Sequence, residues 1–274
     1  LEDLAGNDST YNILPADVVI CDTTSPDSYI TGTVVPTGGI VAQRFWNSTN
    51  TGLSITIPID GDDPSLIGGI AQPYVKFNSG TERVLSTPIL EIFNTHSQLG
   101  YYTEIFADSV FESISGFGET KTAEFHSKIY DAPHNSRTGS TSSSILKIDQ
   151  EAPDLINKTI YSTNVDPTRA IIGDTVFIEY TGFVQYQNVQ SYEGIDTVAG
   201  NISGQPFDST EHVIGSLATS RSWRRMTGSE SEGILSFSIS GGDTARNMSD
   251  TTYTWVDDGK SVDFSIAGPE ILFA

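Results

Sequence analysis

The sequence predicts an all-β protein made of tandem β-sandwiches, and three observations carry that prediction. Apolar residues alternate with Ser and Thr in several separate segments, the period of a half-buried strand. Two linked motifs recur in the same order along the 274 residues, which marks internal repetition. No long run of strong helix formers shows apolar residues at helical spacing.

The alternating segments come first. Leu53, Ile55, Ile57 and Ile59 share one face of a strand, as do Phe125, Ser127 and Ile129. Val176, Ile178 and Tyr180 form a third such face, and Leu235, Phe237 and Ile239 a fourth with Ser between them. A one-residue slip in any of these would turn its polar face into the core.

The repeated motifs follow. Asp3-Leu4-Ala5-Gly6-Asn7 reappears as Asp131-Ala132-Pro133-His134-Asn135 and again as Asp243-Thr244-Ala245-Arg246-Asn247. In this pattern Asp accepts backbone N–H groups and Gly or Asn tolerates positive φ, so it reads as a turn between strands. With His134 and Arg246 at the place of Gly6, the later copies need either another turn geometry or a strained non-glycine residue. An Asp-x-x-x-Pro stretch follows, from Asp22 to Pro26 and from Asp149 to Pro153, with a fainter copy from Asp263 to Pro269. Pro lacks an N–H and favours an extended path, so this stretch reads as the linker that ends one sheet before the next begins.

These landmarks divide the chain into four parts. Residues 1–22 are the last strand and linker of a preceding repeat, 23–149 a repeat with long insertions, and 150–264 a second repeat. Residues 265–274 start a following repeat or form a strand exchanged with a neighbour.

At these motifs the sequence resembles the bacterial immunoglobulin-like tandem repeats of large surface adhesins and surface-layer proteins. The Asp3–Asn7 turn fits the family's closing turn. Asp166-Pro167-Thr168-Arg169-Ala170 with Gly173-Asp174-Thr175-Val176 is similar to its opening, and Ser231-Glu232-Gly233-Ile234 to its acidic-Gly turn. The resemblance implies immunoglobulin-like sandwiches, an extracellular or cell-surface location, and a structural task in a filament, surface layer or adhesin stalk. It also implies Ca²⁺ held between repeats by linker carboxylates, here Asp3, Asp22, Asp131, Asp149 and Asp243. Implied partners are neighbouring repeats or copies of the chain, head to tail. Hard oxygen ligands at such a junction suit Ca²⁺, with turn capping as the alternative role for the same carboxylates. Asp60-Gly61-Asp62-Asp63 reads as a solvated turn.

Composition excludes other classes. Thirty-five acidic against 14 basic residues give a net charge of −21, with no basic stripe to neutralise phosphates, so nucleic acid is not the expected partner. No apolar run approaches the ~20 residues of a membrane-spanning helix. Cys21, the lone cysteine, closes the apolar stretch from Val18 and reads as a buried strand residue. His96, His126, His134 and His212 stand in no zinc-ligand spacing, and no nucleophile elbow, P-loop or dinucleotide fingerprint occurs. The chain is therefore expected not to be an enzyme; with so many carboxylates, a pair at glycosidase separation carries little weight.

Three further features complete the reading. Asn7, Asn47, Asn157, Asn201 and Asn247 head Asn-x-Ser/Thr sequons, the first and last in closing turns where a glycan would be tolerated. Arg221, Trp223 and Arg225 would share a strand face, with a core or cross-strand role expected, and Arg44-Phe45-Trp46 reads as a strand end. The alternative function is a glycan-binding module whose sugar platform draws on Trp46, Tyr74, Tyr101 and Tyr102.

Overall fold

The computed structural model describes residues 21–85, 90–186, 189–192, 195, 197–213, 219–249 and 252–266. Strands dominate, arranged in several sheets with a few short helical pieces, so the chain is an all-β, sandwich-like protein. Its buried apolar residues fall into two separate clusters, one drawn from Val34 to Ile148 and one from Leu155 to Phe264.

The first core lies between two sheets. Strand Gly52–Pro58 pairs antiparallel with Val34–Thr37 on one side and Tyr101–Ala107 on the other. The larger sheet centres on Ile70–Phe77 and Thr122–Tyr130, paired antiparallel over eight positions. Alternation builds both. Leu53, Ile55, Ile57 and Ile59 are at most 3% exposed, and Ala71, Val75, Phe125 and Ile129 face them from the second sheet. The insertion between these elements carries a short 3-10 turn at Pro64–Leu66 and two helical turns, Asn94–Leu99 and Asp108–Glu112. Phe111, on the second helical turn, is fully buried and meets Trp46 edge-on at 4.8 Å between ring centroids.

The second core follows the same logic. Strand Thr175–Tyr186 pairs antiparallel with Asp154–Ser162 and Thr219–Arg225, while Thr197–Ile202 pairs with Phe237–Gly242. Val176, Ile178, Tyr180, Leu235, Phe237 and Ile239 are all buried, as their alternation requires. Strand Thr175–Tyr186 begins two residues after Gly173, which adopts a positive φ of 96°.

One structural correspondence links the halves. Leu146–Ile148 pairs parallel with Phe45–Trp46, Ile148 opposite Trp46; Asp263–Ser265 pairs parallel with Arg169–Ile171, Phe264 opposite Ala170. The residue after the buried apolar member is therefore Asp149 in the first half and Ser265 in the second. This corrects the faint third linker copy. Asp263 lies inside a strand, and Ser265 occupies the place of Asp149.

Cys21 departs from expectation, and the Arg221–Trp223–Arg225 face takes the cross-strand one of its two expected roles. Cys21 is exposed and outside any strand; Val18 to Ile20 lie outside the described residues. On strand Thr219–Arg225 the inward residues are Ser220, Ser222 and Arg224, so Trp223 faces outward with Arg221 and Arg225. Arg221 there sits 5.0 Å over the Phe177 ring and donates to Glu211 at 2.6 Å. Period-2 alternation also misses a bulge between Ile156 and Thr159, where Asn157 has φ 54° and Lys158 turns inward, 3% exposed. Its ammonium donates to the Leu155 carbonyl at 2.7 Å, reaches Asp257 at 3.0 Å, and lies 4.5 Å from the centre of the Tyr253 ring.

Candidate functional site: the junction between the two cores

The Asp-x-x-x-Asn turn has one geometry in both described copies. In each, Asp and Asn exchange main-chain contacts: Asp131 N–H donates to the Asn135 carbonyl at 3.0 Å and Asp243 N–H to the Asn247 carbonyl at 3.2 Å. The Asp carboxylate accepts the Asn main-chain N–H at 2.6 and 2.9 Å, and the Asn side-chain amide at 2.9 and 3.0 Å. The fourth residue is left-handed in both, with φ 73° at His134 and 66° at Arg246. The turn therefore keeps the conformation for which Gly6 is suited and places a non-glycine residue in it, at a cost of about 1 kcal/mol.

The same amide reaches one step further. Asn135 Nδ2 donates to the carbonyl of Asp22 at 3.0 Å, and Asn247 Nδ2 to the carbonyl of Asp149 at 2.8 Å. Each turn thus holds the first residue of the linker that enters its own half of the chain. Neither motif alone foretells this bond; their repeated linkage is the sequence signal for it.

At the second copy the turn also meets the first core. Asn247 Oδ1 accepts from Ser48 N–H at 3.0 Å and from Ser48 Oγ at 2.9 Å. Asn47 Nδ2 donates to the carbonyls of Ala245 and Ile40, both at 2.7 Å. The bend that presents these groups is fixed locally, since Asn50 Oδ1 accepts the Asn47 N–H at 2.8 Å and Asn47 Oδ1 accepts from Thr49. Asn47, Asn247 and Asp243 are fully buried, and the Asn47–Ala245 bond is shielded from water, while Ser48 reaches Asn247 from the exposed side of the bend.

The linker is gripped from the other side as well. Asp149 N–H donates to the Trp46 carbonyl at 2.9 Å, continuing the parallel pairing by one residue. Gln150 Nε2 donates to Glu112 at 2.6 Å, the carboxylate that also receives Trp46 Nε1 at 2.9 Å, and Gln150 N–H donates to Glu119. Asp149 is therefore tied to both halves at once, and Gln150 to the first.

Charge is concentrated here. Burial pushes the Asp149 carboxyl above its usual range, and the nearby Asp243 carboxylate adds to the shift while Lys147 opposes it. Burial also raises Asp243, against the hydrogen bonds from Asn247 and the turn's main chain. Glu119 is raised for the same first reason.

The sequence-predicted site residues separate as follows. Asp149 and Asp243 meet at this junction through Asn247, whereas Asp131 joins the main chain of Asp22 through Asn135; Asp3 and Asn7 lie outside the described residues. Among the described residues no group of three or more His, Cys, Asp or Glu side chains has metal-holding geometry. The Asp131 and Asp243 carboxylates act in the turns, as does Asp63, which accepts from Ser65 N–H at 2.9 Å. Of the five sequons, Asn47 and Asn247 are fully buried, which corrects the expectation that the last would tolerate a glycan; Asn157 is exposed and Asn201 half-buried. Trp46 and Tyr102 belong to the first core at 0% and 8% exposure, leaving Tyr74 and Tyr101 with accessible surface. Among the described residues no helix is long and apolar enough to cross a membrane. The chain matches no protein-family model, and a search of curated proteins finds no relative.

Proposed function

We propose that the chain is a structural segment of an extracellular repeat protein, assembled from immunoglobulin-like modules that follow one another along a surface filament, surface layer or adhesin stalk. The observation that carries this reading is the repeated clasp. One turn recurs with the same hydrogen bonds in both halves, and its second copy ties the linker and the neighbouring core together through the buried Asn47 and Asn247. A protein that transmits force or holds a fixed spacing needs its modules joined in a defined way, and direct bonding through Asn247 supplies this. The abundant surface carboxylates favour solubility and mutual repulsion between chains except where a specific contact is built.

The test is small-angle scattering of the chain and its Asn247→Ala variant. One fixed two-module envelope for the parent and a broadened distribution for the variant is the expected result. Scattering that fits freely jointed modules in both would overturn the structural reading. Repeating the measurement with Ca²⁺ and with a chelator decides whether linker carboxylates bind metal. A melting point and envelope that respond to Ca²⁺ add metal to the junction; an unchanged pair leaves hydrogen bonding as its basis.

The glycan-binding alternative has one observation in its favour. Tyr74 stacks on His126 at 5.0 Å beside an open hollow of about 390 Å³ lined with Glu82, Lys128 and Thr138. Retention of the chain on a glycan array, lost in Tyr74→Ala, would favour it.

A further inference from the structure

The junction leaves a matching half-site at the opposite end of the first module. The Asp131–Asn135 turn repeats the Asp243–Asn247 turn bond for bond, including the hold on the entering linker at Asp22. What differs is the far side. Asn247 is fully buried, its Oδ1 filled by Ser48 N–H and Oγ, whereas Asn135 is half-buried and its Oδ1 accepts no hydrogen bond among the described residues. Ala245, which offers its carbonyl to Asn47, is fully buried; its counterpart Pro133 is exposed. Asp131 remains 1% exposed, so the turn is already set in its bonded form.

From this we infer that the Asp131–Asn135 face is a docking site for the repeat that precedes Asp22 in the polypeptide, engaged by a polar bend of the Asn47–Ser48 kind. The inference rests on the tandem-repeat reading proposed above. Recognition would use one main-chain N–H and one hydroxyl on Asn135 Oδ1, and a side-chain amide on the carbonyl of Pro133. The sequence marks the repeat that would carry this bend: Asp3–Asn7 has the form of that repeat's closing turn, 19 residues before Asp22, as Asp131 stands 18 residues before Asp149.

A second copy of this chain fits the face less well. The bend corresponding to Asn47–Asn50 in the second module is set the same way, with Asp174 Oδ2 accepting the Ile171 N–H at 2.9 Å. There, however, Asn47 and Ser48 are replaced by Ile171 and Ile172, which are 45% and 48% exposed and carry neither amide nor hydroxyl. The polar half-site therefore selects a different repeat from the one at the chain's other end.

The experiment uses a fusion in which residues 21–149 are copied ahead of residue 23, so that the copied Asp149 takes the place of Asp22. The leading copy is isotope-labelled by segmental ligation, and amide hydrogen exchange is read at its Ser48. Exchange at least tenfold slower than the intrinsic rate is expected, returning towards that rate when the trailing copy carries Asn135→Ala. Near-UV circular dichroism checks that each variant is folded. If the leading Ser48 exchanges freely while Ser48 of the authentic junction stays protected by Asn247, the half-site inference fails alone. If the authentic Ser48 is also unprotected, the clasp itself is absent and both readings fall.

Discussion

Glu230 offers a quantitative test of how the second module is held together. Its side chain is fully buried, accepts the Thr227 and Gly228 N–H groups at 3.0 Å each, and pairs with Arg224 Nε at 2.8 Å. Burial alone would raise its pKa. The bonds from Thr227, Arg224 and Gly228 outweigh that effect and bring it from 4.5 down to about 2. A carboxyl that is more acidic folded than unfolded stabilises the fold above its unfolded pKa, and that contribution disappears as the pH falls towards the folded value. Between pH 5 and 2 the second module should therefore lose about 3 kcal/mol from this group, at ~1.36 kcal/mol per pKa unit. Glu230→Gln should lose a similar ~3 kcal/mol already at pH 7, because Arg224 loses its close carboxylate and keeps Asp208 at 3.5 Å, the Pro206 carbonyl at 3.1 Å and Ser229 Oγ at 3.5 Å. Hydrogen exchange with mass-spectrometric detection reports each core separately and suits a chain with two of them. Denaturant dependence of exchange at Thr175–Tyr186, measured at pH 7 and in steps down to pH 2, gives the stability around the second core. A variant within about 1 kcal/mol of the parent at pH 7 would show that the ion pair does not hold this loop.

Other predictions follow from the junction and its turns. Because Asp149 and Asp243 are both raised, the folded chain binds protons more readily there; stability falls as pH rises from the ordinary carboxylate range through the raised values. Asp149→Asn should flatten that part of a melting-temperature profile taken between pH 4 and 7, and an unchanged profile would remove charge repulsion from the account. Arg246→Gly relieves a left-handed residue that is exposed and makes no side-chain bond among the described residues; it should stabilise the chain by about 0.5–1 kcal/mol, seen as a higher calorimetric Tm. In a host that modifies asparagine, mass spectrometry of the folded protein should find glycan at Asn157 and none at Asn47 or Asn247, which the closed junction covers. Trp46→Ala should cost about 3–5 kcal/mol in the first module, through a cavity beside Phe111 and the lost bond to Glu112.

The local grammar of strands and turns is written in short stretches of residues. Alternation at Leu53–Ile59, Val176–Tyr180 and Leu235–Ile239 sets which side chains are buried, because a strand's two faces follow a period of two whatever lies against them. The same holds for the Asp-x-x-x-Asn turns, whose bonds run over five residues and need no distant partner. Sequence pattern was silent wherever a residue's environment comes from elsewhere in the chain. Lys158 is turned inward by a bulge and met by Asp257, 99 residues away. Trp223 faces outward because Arg224 is held inside by Glu230, and Trp46 is core because the insertion brings Phe111 against it. Asn247 shows the division most clearly. Its place in a turn was legible from its neighbours, but its bond to Ser48, 199 residues earlier, depends on how the two halves of the chain pack together. Local turns are decided by steric and hydrogen-bonding rules within a few residues, whereas a junction is decided by which surfaces the folded modules bring together.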